Sequence, residues 1–254
     1  MKNHESTMFH IHLSPRQGAG YAILPGDPGR VEKIAVCLEN PTPVAVNREF
    51  TTWSGTLEGK RVLVTSTGIG GPSASIAMEE LIQCGVHTFL RVGTCGGMQP
   101  EILSGDVIIP TGAIRMEGTS KEYLPLEFPA VAHYDIVSSL VQAASSLQAG
   151  FHTGVIHSKD SFYGQHNPRS MPVGQELLEK WEAFRKGGAL ASEMECAALF
   201  SVAAARKVRA GAVLACIWNQ EREKLGLENP EVLDTSSAIR IAVEALRLLI
   251  RQDK

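Results

Sequence analysis

No run of apolar residues in this sequence approaches the roughly 18 needed to cross a bilayer as a helix, which excludes a helical membrane protein. The five cysteines, Cys37, Cys84, Cys95, Cys196 and Cys216, are odd in number, widely spaced and free of any C-x-x-C pair. That excludes a disulfide framework and a zinc ribbon, and it points to a reducing compartment. Positive charge is not in excess either. The formal net charge is -3, so no partner nucleic acid is expected, because such a surface needs a basic stripe. A few local arginines suffice to hold a small anion. Proline and glycine do not gather into a linker, and neither low-complexity tracts nor solenoid-length repeats occur. The first 16 residues are polar and lack the apolar core of a secretory signal, so a cytoplasmic protein is expected. What is present is ordinary for a soluble chain with a full core: 254 residues, 44% hydrophobic and 20% charged, read as one domain over residues 1–254.

Strand-like and helix-like segments alternate along the chain. Residues 20–24 form a short apolar run that ends in Pro25-Gly26-Asp27-Pro28, where Asp27 suits a helix cap and Pro28 the first helical position. Segments 50–57 and 61–67 read as a hairpin around Glu58-Gly59-Lys60. Ala74, Ala77, Leu81 and Cys84 fall at helical spacing. Strands follow at 88–92, 106–114, 155–158 and 210–218, with helices at 136–147 and 194–205. Ile239, Val243, Leu246 and Ile250 give a closing helix one apolar face. The alternation predicts an α/β fold with a mixed central sheet flanked by helices. Its functional residues are expected where loops leave the strand C-termini.

Four motifs stand at such places. In Pro25-Gly26-Asp27-Pro28-Gly29-Arg30, glycine allows close backbone approach, a helix start offers N–H groups, and Arg30 adds a fork suited to phosphate. Alone, this is no more than a turn with a surface arginine. In Arg91-Val92-Gly93-Thr94-Cys95-Gly96-Gly97, an arginine ends an apolar strand, which is costly unless it meets an anion or a core carboxylate. Two strand ends that each offer arginine beside glycine suggest an oxyanion pocket. Cys95 stands near Arg91 and is a candidate for a lowered pKa. Gly68-Ile69-Gly70-Gly71-Pro72-Ser73 breaks the dinucleotide pattern at Ser73 and has no acid at the ribose-binding distance, so its glycines read as a tight turn. In Glu193-Met194-Glu195, a carboxylate at a helix start has a structural role by default, but Glu195 also suits paired ribose hydroxyls, since an acceptor-only group matches two donors.

Together with Arg48-Glu49-Phe50-Thr51-Thr52-Trp53, residues 125–132 and Asp160-Ser161-Phe162-Tyr163, these motifs resemble the nucleoside phosphorylase family, nearest its uridine branch, over almost the whole chain. The resemblance implies a nucleoside phosphorylase-like fold with a distorted, barrel-like sheet. It also implies phosphorolysis of uridine, with inorganic phosphate as co-substrate, in pyrimidine salvage. No cofactor is required. Phosphate would sit among Gly26, Arg30, Arg91 and Thr94, with Arg48 given by a neighbouring subunit. Met194 and Glu195 would hold ribose, and His10 of a partner would meet its 5′-hydroxyl. Arg30, Arg91, Thr94 and Glu195 would carry the catalysis. The implied assembly is a hexamer built from dimers that share active sites. Glu49, Ile69 and Ser73 would hold a monovalent cation such as potassium between subunits.

The base-binding segment departs from that branch. The usual Pro-Gly-Gln-x-Arg run is replaced by Gly164-Gln165-His166-Asn167-Pro168-Arg169. Gln165, beside Phe162, keeps an amide for a pyrimidine carbonyl and ring N–H. His166, Arg169 or Lys159 could replace the displaced arginine, and Arg222 could fold over the base. A purine-specific phosphorylase or nucleosidase is the alternative. Those relatives keep an aspartate after the late buried strand, where Asn219 stands here, which favours a pyrimidine. A non-catalytic nucleoside binder is the third reading, against which the intact arginine set and Glu195 argue.

Overall fold

The structure, a computed structural model, describes residues 7–253, so the first six residues of the polar N-terminal segment lie outside it. One 10-stranded mixed sheet organises the chain. Its strands are β1 (Tyr21–Pro25), β2 (Glu39–Asn47), β3 (Phe50–Leu57), β4 (Lys60–Thr65), β5 (Thr88–Gly97), β6 (Val107–Met116), β7 (Ala130–Val131), β8 (Phe151–Lys159), β9 (Ala191–Glu193) and β10 (Arg209–Asn219). The helices are α1 (Val31–Ala35), α2 (Gly71–Gln83), α3 (Tyr134–Ser146), α4 (Phe162–His166), α5 (Gly174–Lys186), α6 (Cys196–Arg206), α7 (Gln220–Lys224) and α8 (Ser236–Gln252).

Strands β5, β10, β6, β8 and β9 pair in a ring that closes on itself, and β1, β4, β3 and β2 continue from β5 as an open wing. Strand β5 is the shared member. One of its edges pairs in parallel with β10 along its whole length. The other pairs with β1 from Thr88 to Val92, then with β9 at Gly96 and Gly97. The strand therefore changes neighbour over Gly93-Thr94-Cys95, and the sheet forks there. A crevice at such a switch point is where open α/β sheets take ligands.

Alternate residues of β5 face opposite cores, as the period of a strand requires. Phe89 joins Met78, Leu81, Leu199 and Phe200 beneath α2 and α6, whereas Leu90 joins Leu140, Val213, Ile241 and Leu246 beneath α3 and α8. The apolar stripe of α8 anticipated from Ile239, Val243, Leu246 and Ile250 is buried. Burial of each such large aliphatic side chain stabilises the fold by about 1.5–3 kcal/mol.

Of the elements that were not anticipated, three are instructive. Strand β2 carries Pro41 and Pro43, is broken by register shifts and is largely exposed. Strand β9 has only three residues and owes its existence to neighbours on both sides. In α5, Leu177, Trp181 and Phe184 lie at helical spacing on a half-buried face, a signal the sequence reading did not use, and Gly174 and Trp181 are its buried positions. The helix expected from residue 194 begins at Cys196, which leaves Met194 and Glu195 in the link that precedes it. Among the described residues, no helix is long and apolar enough to cross a membrane.

Candidate active site

A cleft of about 1050 Å³ opens at the fork of the sheet, lined by the ends of β1, β5, β8, β9 and β10. It is large enough for a small ligand together with an anion. The turn after β1 forms because Asp27 accepts the Gly29 N–H at 2.8 Å and Pro28 fixes the first residue of the helical turn. That turn aims Arg30 across the cleft, where its Nη1 donates to the Val92 carbonyl at 3.4 Å. Burial first, and the Arg91 charge second, lower the pKa of Arg30. The neighbouring cation makes an anion between the two guanidinium groups favourable.

Arg91 is only 4% exposed, so its charge must be balanced inside the protein. Its Nη2 donates to Glu195 Oε2, and its Nε lies 3.6 Å from Glu193 Oε2. The balance leaves the fork incomplete, because Nε and Nη1 have no hydrogen-bond partner among the described residues. Nη1 faces Gly26, where an added Cβ would lie 3.8 Å away. Gly93 is required at the fork, since a Cβ there would stand 3.0 Å from Arg91 Nη2 and 2.7 Å from Leu214. Of the two readings of Arg91, the core ion pair is present, and it leaves donors on the same side chain without a protein partner among the described residues.

The two glutamates of the Glu193-Met194-Glu195 motif divide the work. Glu193 accepts from the Glu195 and Cys196 N–H groups and from the Ser158 hydroxyl, so it caps α6. Burial, then the nearby Glu195, raise its pKa. Glu195 accepts the Gly70 N–H at 2.7 Å through Oε1 and faces the cleft. Gly70 has φ +89°, a conformation that side chains disfavour, and it is this that turns its N–H toward the carboxylate.

One wall of the cleft contains Lys159, Gln165, His166, Phe162, Ser192 and Trp218. Lys159 is 8% exposed, and burial pushes its pKa down to about 8. The ring of Phe162 stacks on His166 with centroids 4.3 Å apart at the cleft mouth. Ser192 and Trp218 were not singled out from the sequence. Ser192 is an unremarkable hydroxyl until β9 places it between β5 and β8.

Gly26, Arg30, Arg91, Thr94, Met194 and Glu195 all meet in the cleft, as do Glu49, Ile69 and Ser73 at its lip. There Ser73 Oγ donates to Glu49 Oε1 at 2.7 Å. Other expected residues lie elsewhere. Arg48 is exposed in the turn between β2 and β3, and His10 binds Glu80 Oε1 through Nδ1 at 2.7 Å; neither lines the cleft of its own chain. Arg169 is exposed outside it. Arg222 does not fold over the cleft, because it donates to the carbonyls of Glu228 and Pro100 and so secures the loop after α7. Asn219 is turned into the core. Its Nδ2 donates to the Gln99 and Ile102 carbonyls and its Oδ1 accepts from Glu221 and Arg222 N–H groups. Its identity therefore says nothing about the base. The thiol of Cys95 is not activated either: a hydrogen bond with Cys216, and burial, push its pKa well above the usual cysteine range.

Residues 21–251 match the family model described as the phosphorylase superfamily. The chain belongs to that superfamily. Among curated members, it is 56% identical over 245 residues to a uridine phosphorylase of Treponema pallidum, with 96% of this chain and 95% of that one covered. It is 44% identical over 254 residues to a uridine phosphorylase of Escherichia coli, with 97% and 99% covered. It is also 40% identical over 247 residues to a guanosine phosphorylase of Halorubrum lacusprofundi, with 94% and 98% covered. The superfamily frame thus accompanies more than one base, and the wall around Gln165 and Lys159 becomes the place to look for the choice.

Proposed function

We propose that this protein catalyses phosphorolysis of uridine to uracil and ribose 1-phosphate. The observation that carries the reading is Arg91: buried, charge-balanced by two glutamates, yet with its Nε and Nη1 nitrogens left without a hydrogen-bond partner among the described residues, beside a cleft that Arg30 also faces. Phosphate satisfies those donors, joined by Thr94 and the backbone at Gly26. Glu195 accepts from ribose hydroxyls above it. A phosphate oxygen bonds to C1′ as the C1′–N1 bond breaks, and its electron pair leaves on uracil. The phosphate charge stabilises the oxocarbenium character of the sugar in the transition state. No enzyme nucleophile takes part, in keeping with the protonated Cys95. Gln165 reads the imide edge of the base, and Lys159 stabilises the charge that develops on its carbonyls.

A second copy of the chain would complete the site by delivering Arg48 and His10, and a hexamer of such dimers in the cytoplasm is part of the same reading. Glu49 and Ser73 present hard oxygen donors suited to a potassium ion between subunits, and the ion would neutralise the paired carboxylates there. Phosphate-dependent release of uracil from uridine tests the whole. Release without phosphate would make the protein a nucleosidase, and no release from any nucleoside would make it a binder. Guanosine belongs in the same assay, because the N1–H and O6 edge of guanine offers Gln165 the same donor and acceptor as uracil.

Lys159 sets an expected pH dependence. Its pKa is lowered to about 8, with Glu193, Glu195 and Cys95 opposing the effect of burial and His157 and His166 beside it. The protonated form is the working one, so kcat/KM for uridine falls as pH rises through about 8. In Lys159→Met this alkaline limb disappears along with most of the activity. A wild-type limb that persists unchanged in the variant assigns it to another group.

A further inference from the structure

The Gln165 amide can read a base only if its oxygen and nitrogen are held the right way round, and side-chain amides turn over readily when nothing polarises them. Both ends of this amide are engaged. Its Oε1 accepts from Ser192 Oγ at 2.7 Å, and its Nε2 donates to Gln220 Oε1 at 3.2 Å. Ser192 Oγ has two further neighbours, Lys159 Nζ at 3.0 Å and His157 Nδ1 at 3.1 Å. A lysine ammonium has donors and no acceptor, so Ser192 must accept from it. A hydroxyl owns one proton. With the ammonium on one side, that proton goes to Gln165 or to His157.

The surroundings of His157 decide between them. Its ring is buried against Trp181 and Phe184, and it borders a cavity of about 190 Å³ behind the amide wall. Burial, with Lys159 next to it, pushes its pKa down to about 4, so it is neutral. In the neutral ring one nitrogen carries the proton. Placed on Nδ1, that proton finds Ser192 Oγ as acceptor, whereas Nε2 has no hydrogen-bond acceptor among the described residues. With Nδ1–H donating, Ser192 has its two acceptor positions filled, and its proton is directed onto Gln165 Oε1. The amide then keeps one lone pair on oxygen and one N–H on nitrogen for a ligand.

We propose that Ser192 is a positioning residue that fixes the polarity of the Gln165 amide, and that the site thereby selects bases with a ring N–H beside a carbonyl over bases with an acceptor ring nitrogen beside an amino group. Uracil meets the polarised amide with N3–H to Oε1 and a carbonyl to Nε2–H. Cytosine presents the reverse pattern and needs the amide turned over, which strands the Ser192 proton against an N–H. The proposal rests on the assignment of Gln165 to the base.

The test is inhibition of uridine phosphorolysis by free uracil and by free cytosine, in the unsubstituted protein and in Ser192→Ala, Ser192→Thr and Lys159→Met. Absence of phosphate-dependent uridine cleavage in the unsubstituted protein would overturn the functional reading, and this inference with it, before any variant is made. Given that activity, Ser192→Ala frees the amide to rotate, and the preference for uracil over cytosine falls by about tenfold or more, the scale of one misplaced buried hydrogen bond. The KM for phosphate stays unchanged, because Arg30 lies in the turn after β1 and Arg91 on β5. Ser192→Thr keeps the hydroxyl and restores the preference, and Lys159→Met, which removes the donor that orients the chain, lowers it. An unchanged preference in Ser192→Ala overturns the proposal. So does a loss of affinity for both bases and phosphate together, which would mark a merely structural role.

Discussion

Arg91→Ala is expected to lower phosphorolysis about a thousandfold or more, since it removes a charge and the unpartnered donors that the proposed phosphate would meet. The same substitution leaves Glu193 and Glu195 facing one another inside the protein, with the cation between them gone. Removal of one partner from a buried ion pair typically costs about 3–5 kcal/mol, so the variant also melts earlier. The sign of its pH dependence follows from Glu193. Its pKa is already raised in the folded protein by burial and by Glu195, and loss of Arg91 raises it further. A carboxyl with a raised folded pKa holds its proton more tightly in the folded state, so stability is regained as pH falls through that pKa. The melting temperature of Arg91→Ala is therefore expected to rise more under mildly acidic conditions than that of the parent does. Arg91→Lys separates the two roles. A single ammonium can balance the glutamates but cannot offer the planar fork, so stability returns and most of the activity does not. Near-normal turnover of Arg91→Ala at low phosphate would remove Arg91 from the phosphate site.

Glu193→Ala has the opposite signature. Glu193 gathers three buried donors, the Glu195 N–H, the Cys196 N–H and the Ser158 hydroxyl. Left unpaired, each costs about 1–3 kcal/mol. After partial relaxation, a loss of about 3–5 kcal/mol is expected, which for a chain of this size lowers the melting temperature by about 10 °C or more. Glu195→Ala also melts earlier, because it breaks the buried pair with Arg91 and strands the Gly70 N–H, but unlike Glu193→Ala it raises the KM for uridine. Thermal unfolding and steady-state kinetics on both variants decide the matter, and a KM for uridine raised equally by both would reject the division of labour drawn from the hydrogen bonds.

That division could not be read from the sequence, where the two glutamates look alike. What could be read was punctuation. Pro25, Gly26, Asp27 and Pro28 mark a strand end and a helix start by backbone chemistry alone, and Arg30 and Arg91 were conspicuous as charges beside apolar strands. The strands that close the ring were legible where their apolar runs were long, as in β10. They were not legible where pairing alone defines them, as in β9. Ser192 was missed for the same reason, because its importance comes from two strands that meet over it. Arg222 and Asn219 failed in another way. Their types suit a base-binding site, but the loop after β5, the first turn of α7 and the loop after it have carbonyls and N–H groups that need partners, and these two side chains satisfy them. Composition cannot tell a donor spent on the backbone from one kept for a ligand.

The wing strand β2 has a consequence for how copies of this chain meet. The opposite end of the sheet closes on itself, so among the described residues β2 carries the long unpaired strand edge. Pro41 and Pro43 withhold two N–H groups from it and register shifts distort it. Such an edge is a poor template for backbone-to-backbone polymerisation. Any self-association is thereby steered away from endless sheet growth and toward closed contacts between side chains, the kind of contact that the proposed sharing of Arg48 and His10 requires.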